Sequence, residues 1–378
     1  MRVLQVCSFI DSKNGGAPIS TLWSAVSLND FGLNCEVLVC GEKNSNIENM
    51  KNGFGIKEIK GTRVYFLDSR RDSKWGKFPT IKNILKIKKL IESFDVLILN
   101  QVYNFQNVLI YLINLKVKKP YILAPHGSLT KYDQKNGKMR KKIFNILIFR
   151  RVISMANDIF VTSIQEKQQV LESFKVKRIS IVGLGFPLSE RSGRKKVKNS
   201  EPIFLFIGRF AKKKRIDLTL EAFSLFLKRG NLGKLMIVGS GEEQIEKSIH
   251  VIVNRLELDK NVEIRSWVDG KDKQELFEMA DFFVLNSEDE NFAVVVAESM
   301  YYGVPALVSR HVALSEIVER NKAGIVIDKL DKHEISAGMC RILKSDYSLM
   351  VTNAIKSSEE LTWKVAGQRW RDEVIKHI

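Results

Sequence analysis

The stretch SEDENFAVVVAESMYYGVPALVS, Ser287–Ser309, places a carboxylate at each end of a segment that otherwise looks like core, with Glu290 and Glu298 separated by seven residues. Before it, Asp281–Ser287 reads as a short buried strand and SEDEN as the loop that leaves it. The apolar spacing predicts a helix that begins near Phe292, runs through Glu298 and Met300 and stops at Gly303, with Pro305 opening the next strand. This is one turn of a strand–helix–strand repeat. Glu290 falls at the predicted helix start beside free backbone amides, and Glu298 about two turns further on. Carboxylates accept, and helix-start amides donate, hydrogen bonds of the kind sugar hydroxyls form. A helix N-terminal charge would account for Glu290 alone; it leaves Glu298 unexplained.

The same repeat extends outward in both directions. On the far side, IFLFIGR, KLMIVGS, VEIRSW, DFFVLNS, PALVS and AGIVI read as strands with helical segments such as DLTLEAFSLFLKRG between them. In the first half RVLQVCSF, CEVLVC, VYFL, DVLILN, YILAP, DIFVTS and RISIVG read the same way. They are short, β-branched and not alternating, as strands buried on both faces of a parallel sheet should be. PLSERSGRKKVKNSEP, Pro187–Pro202, is polar, basic and bounded by prolines, which marks a linker. The expected fold is α/β, with two Rossmann-like doubly wound domains facing each other across a cleft. Residues 1–186 form the first, 187–202 the linker and 203–357 the second, while 358–378 form a C-terminal helix that crosses back to the first domain. A chain of 378 residues with 44% hydrophobic residues suits two such cores. No apolar run reaches the ~18–20 residues of a membrane span. MRVLQVCSFIDS reads as a first strand rather than a signal peptide. The four cysteines and five histidines show no metal-ligand spacing, so no protein-held metal and no cofactor is expected.

Ligands of doubly wound folds bind beyond the carboxyl ends of the strands, and the remaining motifs fall there. IGRFAKKKRIDLTLEAF puts Arg209 directly after Gly208 at a strand end and Lys214 at the start of the next helical pattern. An Arg fork and a Lys point charge suit a diphosphate, though a solvated basic loop has the same composition. VGSGEEQIE ends a strand in Gly239-Ser240-Gly241, where glycines permit a turn and close approach; Gln244 stands where a dinucleotide fingerprint needs its third glycine. Gly15 and Gly16 lie between the first strand and first helix, able to bring backbone amides to an anion or to form a plain loop. His126, in APHGSL, follows a strand directly; a lone histidine there is either structural or part of a site.

Together these motifs resemble the retaining glycosyltransferases of family 4, which have the GT-B fold. ENFAVVVAESMYYGVP is similar to the family's Glu-x7-Glu signature, GRFAKKKRID to its Gly-Arg…Lys donor-phosphate motif, and VGSGEE, SWV…ELFEMADFFVLNSEDE and Trp363 follow in order. NGGAP, PHGSL and ANDIFVTSIQEKQQV carry a looser likeness in the first half. The resemblance implies a nucleotide-sugar donor whose diphosphate is held by Arg209 and Lys214 at the Gly208 turn, with electrostatic stabilisation of the leaving group in place of a metal. It implies that Glu298 accepts from the donor ribose, and that Glu290 with the amides of Phe292, Ala293 and Val294 grips the transferred sugar. Gly16, with Gly15, and Gly239 would approach the donor, and His126 would lie close to the reacting sugar. Three departures from the pattern stand out: Asn291 and Ala293 where glycines are common, Arg215 where Gly often follows the Lys, and VGLGFP in place of Pro-Asn-Gly.

The formal charge of +18 is uneven: residues 1–200 hold 35 Lys and Arg against 15 Asp and Glu, and the remainder 26 against 28. KYDQKNGKMRKKIFNILIFRRV brackets an apolar core with bases, among them Lys138, Arg140, Lys141 and Lys142, and IKNILKIKKLI segregates Lys82, Lys86 and Lys89 from its isoleucines. Such segments suit an anionic membrane surface, or else a helix packed on its own sheet with solvated lysines. No nucleic-acid motif or aromatic platform accompanies them. The expectation is a metal-independent hexosyltransferase, cytoplasmic and peripheral at the inner face of the cell membrane. It would move a hexose from a UDP- or GDP-sugar to a lipid-linked saccharide or polysaccharide acceptor in bacterial lipopolysaccharide, O-antigen or capsule biosynthesis. The alternatives are a nucleotide-sugar epimerase or hydrolase on the same fold, and a basic membrane- or nucleic-acid-binding protein without turnover.

Overall fold

The structure, a computed structural model, describes residues 1–10, 16–40, 54–67, 81–132, 149–188 and 196–377. Gly15 and the Lys138, Arg140, Lys141 and Lys142 cluster lie outside the described residues, as does the side chain of Lys82. The chain divides into two compact units, Met1–Pro187 with Trp363–Ile378, and Leu188–Thr362.

The first unit is built on β1 (Arg2–Cys7), β2 (Asn34–Val39), β3 (Phe54–Ile59), β4 (Thr62–Leu67), β5 (Val96–Asn100), β6 (Tyr121–Ala124), β7 (Asp158–Val161) and β8 (Ile179–Ile181). They form one sheet in the order β3-β4-β2-β1-β5-β6-β7-β8, parallel except for the β3–β4 hairpin. β1 and β5 are buried along nearly their whole length, which is why they read as continuous apolar runs. β3 was absent from the sequence reading because it is a largely exposed edge strand, and its sequence FGIKEI lacks an apolar run. Its turn, Lys60-Gly61, has φ of 52° and 72°, the paired left-handed geometry of a tight hairpin.

The helix Ile81–Glu92 uses its apolar face at home: Ile87 and Ile91 are buried in the core, with Ile84 and Leu90 packed against it. Leu85 lies outside that face and is 62% exposed. The amphipathic pattern is therefore accounted for by packing on the chain's own sheet, leaving Lys89 on the exposed side.

The last helix, Trp363–Ile375, belongs to the first unit, so the return begins five residues later than the segment expected from 358. Ser27 Oγ donates to the Trp363 carbonyl at 2.8 Å, and a Cβ at Gly367 would overlap Ser27. Trp370 is fully buried, edge-on to Phe160 at 5.3 Å, and its indole N–H donates to the Gly183 carbonyl at 3.0 Å.

The second unit has β9 (Ile203–Ile207), β10 (Lys234–Val238), β11 (Val262–Arg265), β12 (Phe282–Leu285), β13 (Ala306–Ser309) and β14 (Gly324–Ile327), all parallel, in the order β11-β10-β9-β12-β13-β14. All six fall on the strands read from the sequence. Phe204 at the sheet centre meets Phe223, Phe226 and Phe282 with ring centroids 5.3–6.2 Å apart. Buried Asp281 fastens the end of the linker by accepting from the Asn199 and Ile203 amides at 2.8 and 2.7 Å. The strand order reverses between β9 and β12, so the crevice at which a doubly wound sheet takes its ligand lies beyond the carboxyl ends of those two strands.

Candidate active site

Two loops meet at that reversal. One leaves β9 and carries Gly208 to Arg215; the other leaves β12 and carries Asn286 to Ala293. They are joined main chain to main chain and main chain to side chain: the Glu288 amide donates to the Lys213 carbonyl at 2.7 Å, and Ser287 Oγ donates to the same oxygen at 2.9 Å. This seam brings Lys214 Nζ to 2.7 Å from Glu290 Oε1, with both side chains 12% exposed. Lys213 Nζ stands 3.8 Å from the same carboxylate oxygen and 3.7 Å from Asp289. Ser287 Oγ lies 3.1 Å from Glu290 Oε1. Burial pushes the Glu290 carboxyl up, but Lys214 and Lys213 outweigh it and hold the group below the usual carboxylate range.

Arg209, one residue past Gly208, is exposed, and its guanidinium has no ion pair or hydrogen bond among the described residues. A cation left without a protein partner beside a lysine–glutamate pair is available to an anion from outside.

The local backbone differs from the sequence expectation in one respect. The helix is Val294–Tyr301, and Glu290 sits four residues before it rather than at its first turn. The Glu290 main chain instead bridges to the segment after β13, its amide donating to the His311 carbonyl and its carbonyl accepting from the Ala313 amide, both at 3.1 Å. Ala293 takes φ 64° and Arg215 φ 48°. These are two of the positions where the family resemblance leads one to expect glycine, and both use the left-handed region that glycine enters without cost. Arg215 is braced there by Asp217 and by Glu288 at 2.9 Å.

Gly239 and Gly241 are explained by packing. A Cβ at Gly239 would overlap the Gly208 carbonyl, and one at Gly241 the Phe210 carbonyl. The loop after β10 thus rests backbone-to-backbone on the loop after β9, fixing the turn that carries Arg209. Glu298 lies on the next helix and is held by Lys273 Nζ at 2.6 Å, a cation that also sits 5.9 Å from the Phe277 ring centroid.

Among the first-unit residues, Gly16 begins the helix Gly16–Asp30 and is exposed. His126 follows β6 with φ 49° and is half-buried; its Nε2 lies 2.8 Å from Asn100 Oδ1, and the loss of solvent around the ring pushes the imidazole down to about 4. Glu166 ties down the adjacent turn. Its carboxylate accepts from the Gly127 amide at 2.7 Å and the Thr162 amide at 2.8 Å, while Ser163 Oγ accepts from the Glu166 amide at 3.1 Å.

The structure therefore brings Gly208, Arg209, Lys214 and Glu290 to one sheet reversal, with Phe292, Ala293 and Val294 following in the same loop and helix start. Lys213, Lys273, Asn100 and Glu166 were not singled out in the sequence. Lys213 lies inside a run of four cations with nothing to rank them, and the other three act through partners 25 or more residues away in the chain. Among the described residues no group of three or more His, Cys, Asp or Glu is placed to hold a metal ion, and no helix is long and apolar enough to cross a membrane.

Two parallel-dominated α/β sheets with this connectivity define the GT-B class. The crystal structure of Anabaena Alr3699/HepE in complex with UDP and glucose is similar over 100% of both chains, with a TM-score of 0.74 at 15% identity. Residues 189–359, nearly the whole second unit, match the family described as Glycosyl transferases group 1. Mannosylfructose-phosphate synthase of Agrobacterium fabrum is 24% identical over 61% of this chain and 54% of its own length. An uncharacterized 41.2 kDa protein in the cps region of Klebsiella pneumoniae is 25% identical over 74% of this chain and 73% of its own. The chain spans about half or less of the length of several curated relatives it matches, 54%, 43% and 38% for three of them.

Proposed function

We propose that this chain transfers a hexose from a UDP- or GDP-sugar to a carbohydrate acceptor with retention of configuration. The observation that carries the reading is the contact of Lys214 with Glu290 at the β9/β12 reversal, beside an Arg209 that has no partner among the described residues. On this reading the donor diphosphate takes the Arg209 fork and the Lys214 ammonium. Charge developing on the leaving nucleoside diphosphate then meets fixed cations, whether or not a metal is added. Once phosphate engages Lys214, Glu290 is free to accept from hydroxyls of the transferred sugar, next to the amides of Phe292 and Ala293. Glu298 accepts from the ribose, and Lys273 keeps it oriented until the nucleotide arrives.

The acceptor is a lipid-linked saccharide of a bacterial surface polysaccharide, met at an anionic membrane. Support for this part is the surplus of 20 positive charges in residues 1–200, from 35 against 15, and the likeness to an uncharacterized protein of a cps region. Since the apolar face of the helix Ile81–Glu92 is spent on the core, attraction to the membrane is mainly electrostatic. The test is a screen of UDP- and GDP-sugars against isolated lipid-linked acceptors, with and without chelator, following nucleoside diphosphate release and the product's anomeric configuration. Donor consumption without acceptor would move the reading to an epimerase or hydrolase. Absence of nucleotide binding would end it.

A further inference from the structure

Three consecutive carboxylates of the loop after β12 meet three consecutive cations of the loop after β9. Glu288 faces Arg215 at 2.9 Å, Asp289 faces Lys213 at 3.7 Å and Glu290 faces Lys214 at 2.7 Å. Lys213 stands between two of these acids, since its Nζ is also 3.8 Å from Glu290 Oε1. Both of its distances exceed the roughly 2.7–2.9 Å of a charge-assisted hydrogen bond, which Lys214 has already reached. The Lys213 carbonyl is fixed by the Glu288 amide and the Ser287 hydroxyl, so the ammonium can close on Glu290 by side-chain rotation alone. At 27% exposed against 12%, Lys213 is also the more open of the two lysines.

Lys213 and Lys214 together balance Asp289 and Glu290. A diphosphate that takes Lys214 removes the cation nearest Glu290 and sets negative charge beside a carboxylate that burial already disfavours. Some other cation has to hold Glu290 through that exchange. Of the groups around it, Asp289 is a like charge and Ser287 Oγ, at 3.1 Å, is neutral. On the segment after β13, His311 meets Glu290 through its carbonyl and has an exposed side chain, and Arg310 is taken up by Glu319 and Asp328. That leaves Lys213.

We propose that Lys213 is a positioning residue that takes over Glu290 from Lys214 when a donor diphosphate binds, so that the carboxylate stays turned to the hydroxyls of the transferred sugar. This rests on the reading of the chain as a sugar-transferring enzyme. The contacts of Lys214, Lys213 and Ser287 with Glu290 all fall on Oε1, and the hand-over gives Oε2 to the sugar. No bond forms or breaks and no proton moves; one ammonium replaces another on the same oxygen. Burial pushes the Glu290 carboxyl up, and Lys214 and then Lys213 pull it down, so the second lysine already acts on this group from its present distance.

Carbon-13 NMR of the full chain labelled at its glutamate carboxyls follows Glu290 directly, with the signal identified by its loss in Glu290→Gln. In the wild-type protein Glu290 should stay ionised over the same pH range with saturating UDP or GDP as without it. Protonation at clearly higher pH once UDP or GDP is bound overturns the proposal, with no variant needed. In Lys213→Met, which keeps the side-chain length and removes the charge, Glu290 should protonate at higher pH with the nucleotide than without it, and Lys213→Arg should restore the wild-type behaviour. The comparison is made within one variant, so a loss of stability does not imitate it. In turnover, Lys213→Met should lower kcat about tenfold. It should also move the acid limb of kcat, which reports the donor complex, to higher pH. The acid limb of kcat/KM reports the free enzyme, where Lys214 still holds Glu290, and should move less. An equal shift of the two limbs counts against the hand-over, as does an acid limb that disappears in His311→Gln. Failure of the transferase reading would look different: the wild type would bind neither UDP nor GDP, and the hand-over would fall with it for want of a trigger. Failure of the hand-over alone would show as nucleotide binding that leaves Glu290 of the Lys213→Met protein titrating as it does without nucleotide.

Discussion

Replacing Lys214 with Ala and, separately, Arg209 with Ala separates the structural from the chemical work of the two cations. Lys214 Nζ is 2.7 Å from Glu290 Oε1, and both side chains are 12% exposed. Removing one partner of a buried pair costs about 3–5 kcal/mol, because the other charge stays buried. Here Lys213 at 3.8 Å and the Ser287 hydroxyl at 3.1 Å still face the carboxylate, so Lys214→Ala should destabilise the second unit by about 2–3 kcal/mol. Arg209 is exposed and unpaired among the described residues, and Arg209→Ala should leave stability within about 0.5 kcal/mol. In turnover the two should converge. Each removes a charge-assisted contact that strengthens as the leaving group departs, for a loss of about 2–4 kcal/mol in barrier, or roughly 30- to 1000-fold in rate.

Urea unfolding measures the first quantity, and Trp267, the one tryptophan between Leu188 and Thr362, reports on the second unit. Lys214→Ala/Glu290→Gln should be more stable than Lys214→Ala alone, since a neutral amide replaces an unpaired carboxylate. The pH dependence has a definite sign. The folded-state Glu290 pKa is depressed, so the pair's stabilisation is complete above the unfolded carboxylate value of about 4.3 and is lost as pH falls through the lower folded value. The gap between wild type and Lys214→Ala should close in acid. Equal stability of the two single variants at pH 7 would refute the buried-pair argument. Normal turnover of Arg209→Ala would refute the phosphate placement.

Glu290→Gln should impair transfer more than nucleoside-diphosphate affinity, while Glu298→Gln should weaken that affinity; calorimetry on both variants checks this, and equal losses would contradict the division of roles. His126 has a folded pKa lowered from 6.5 to about 4, so the unfolded chain takes the proton first and stability should fall between those pH values by about 3 kcal/mol in total. Comparing acid unfolding of wild type with His126→Gln isolates that loss, and identical curves would show that the ring is not desolvated. Anionic vesicles should retain the protein at low salt and release it at high salt, with weaker retention when Lys138, Arg140, Lys141 and Lys142 are changed to Ser. Equal co-sedimentation with neutral and anionic vesicles would remove the membrane from the proposed function.

What was legible in the sequence follows burial. Strands such as FFVL and IFLFI are covered on both faces, and a run of apolar residues has no other use at that length. The edge strand FGIKEI escaped because one exposed side leaves no such run. Site residues were legible where a strand end fixes their position, as for Arg209, but not where pairing decides. Nothing in KKKR says that its third residue meets a buried glutamate 76 positions on, because that depends on the Lys213 carbonyl taking the Glu288 amide across the seam. The two departures from glycine, Arg215 and Ala293, show the limit from the other side. The sequence marked them as substitutions, yet the backbone keeps the left-handed turn at both, at a cost of roughly 1–2 kcal/mol each. A turn retained against its own side chain implies that the path of the two loops is determined by what they jointly hold, the lysine–glutamate pair at the sheet reversal, rather than by the residues that would form it most easily.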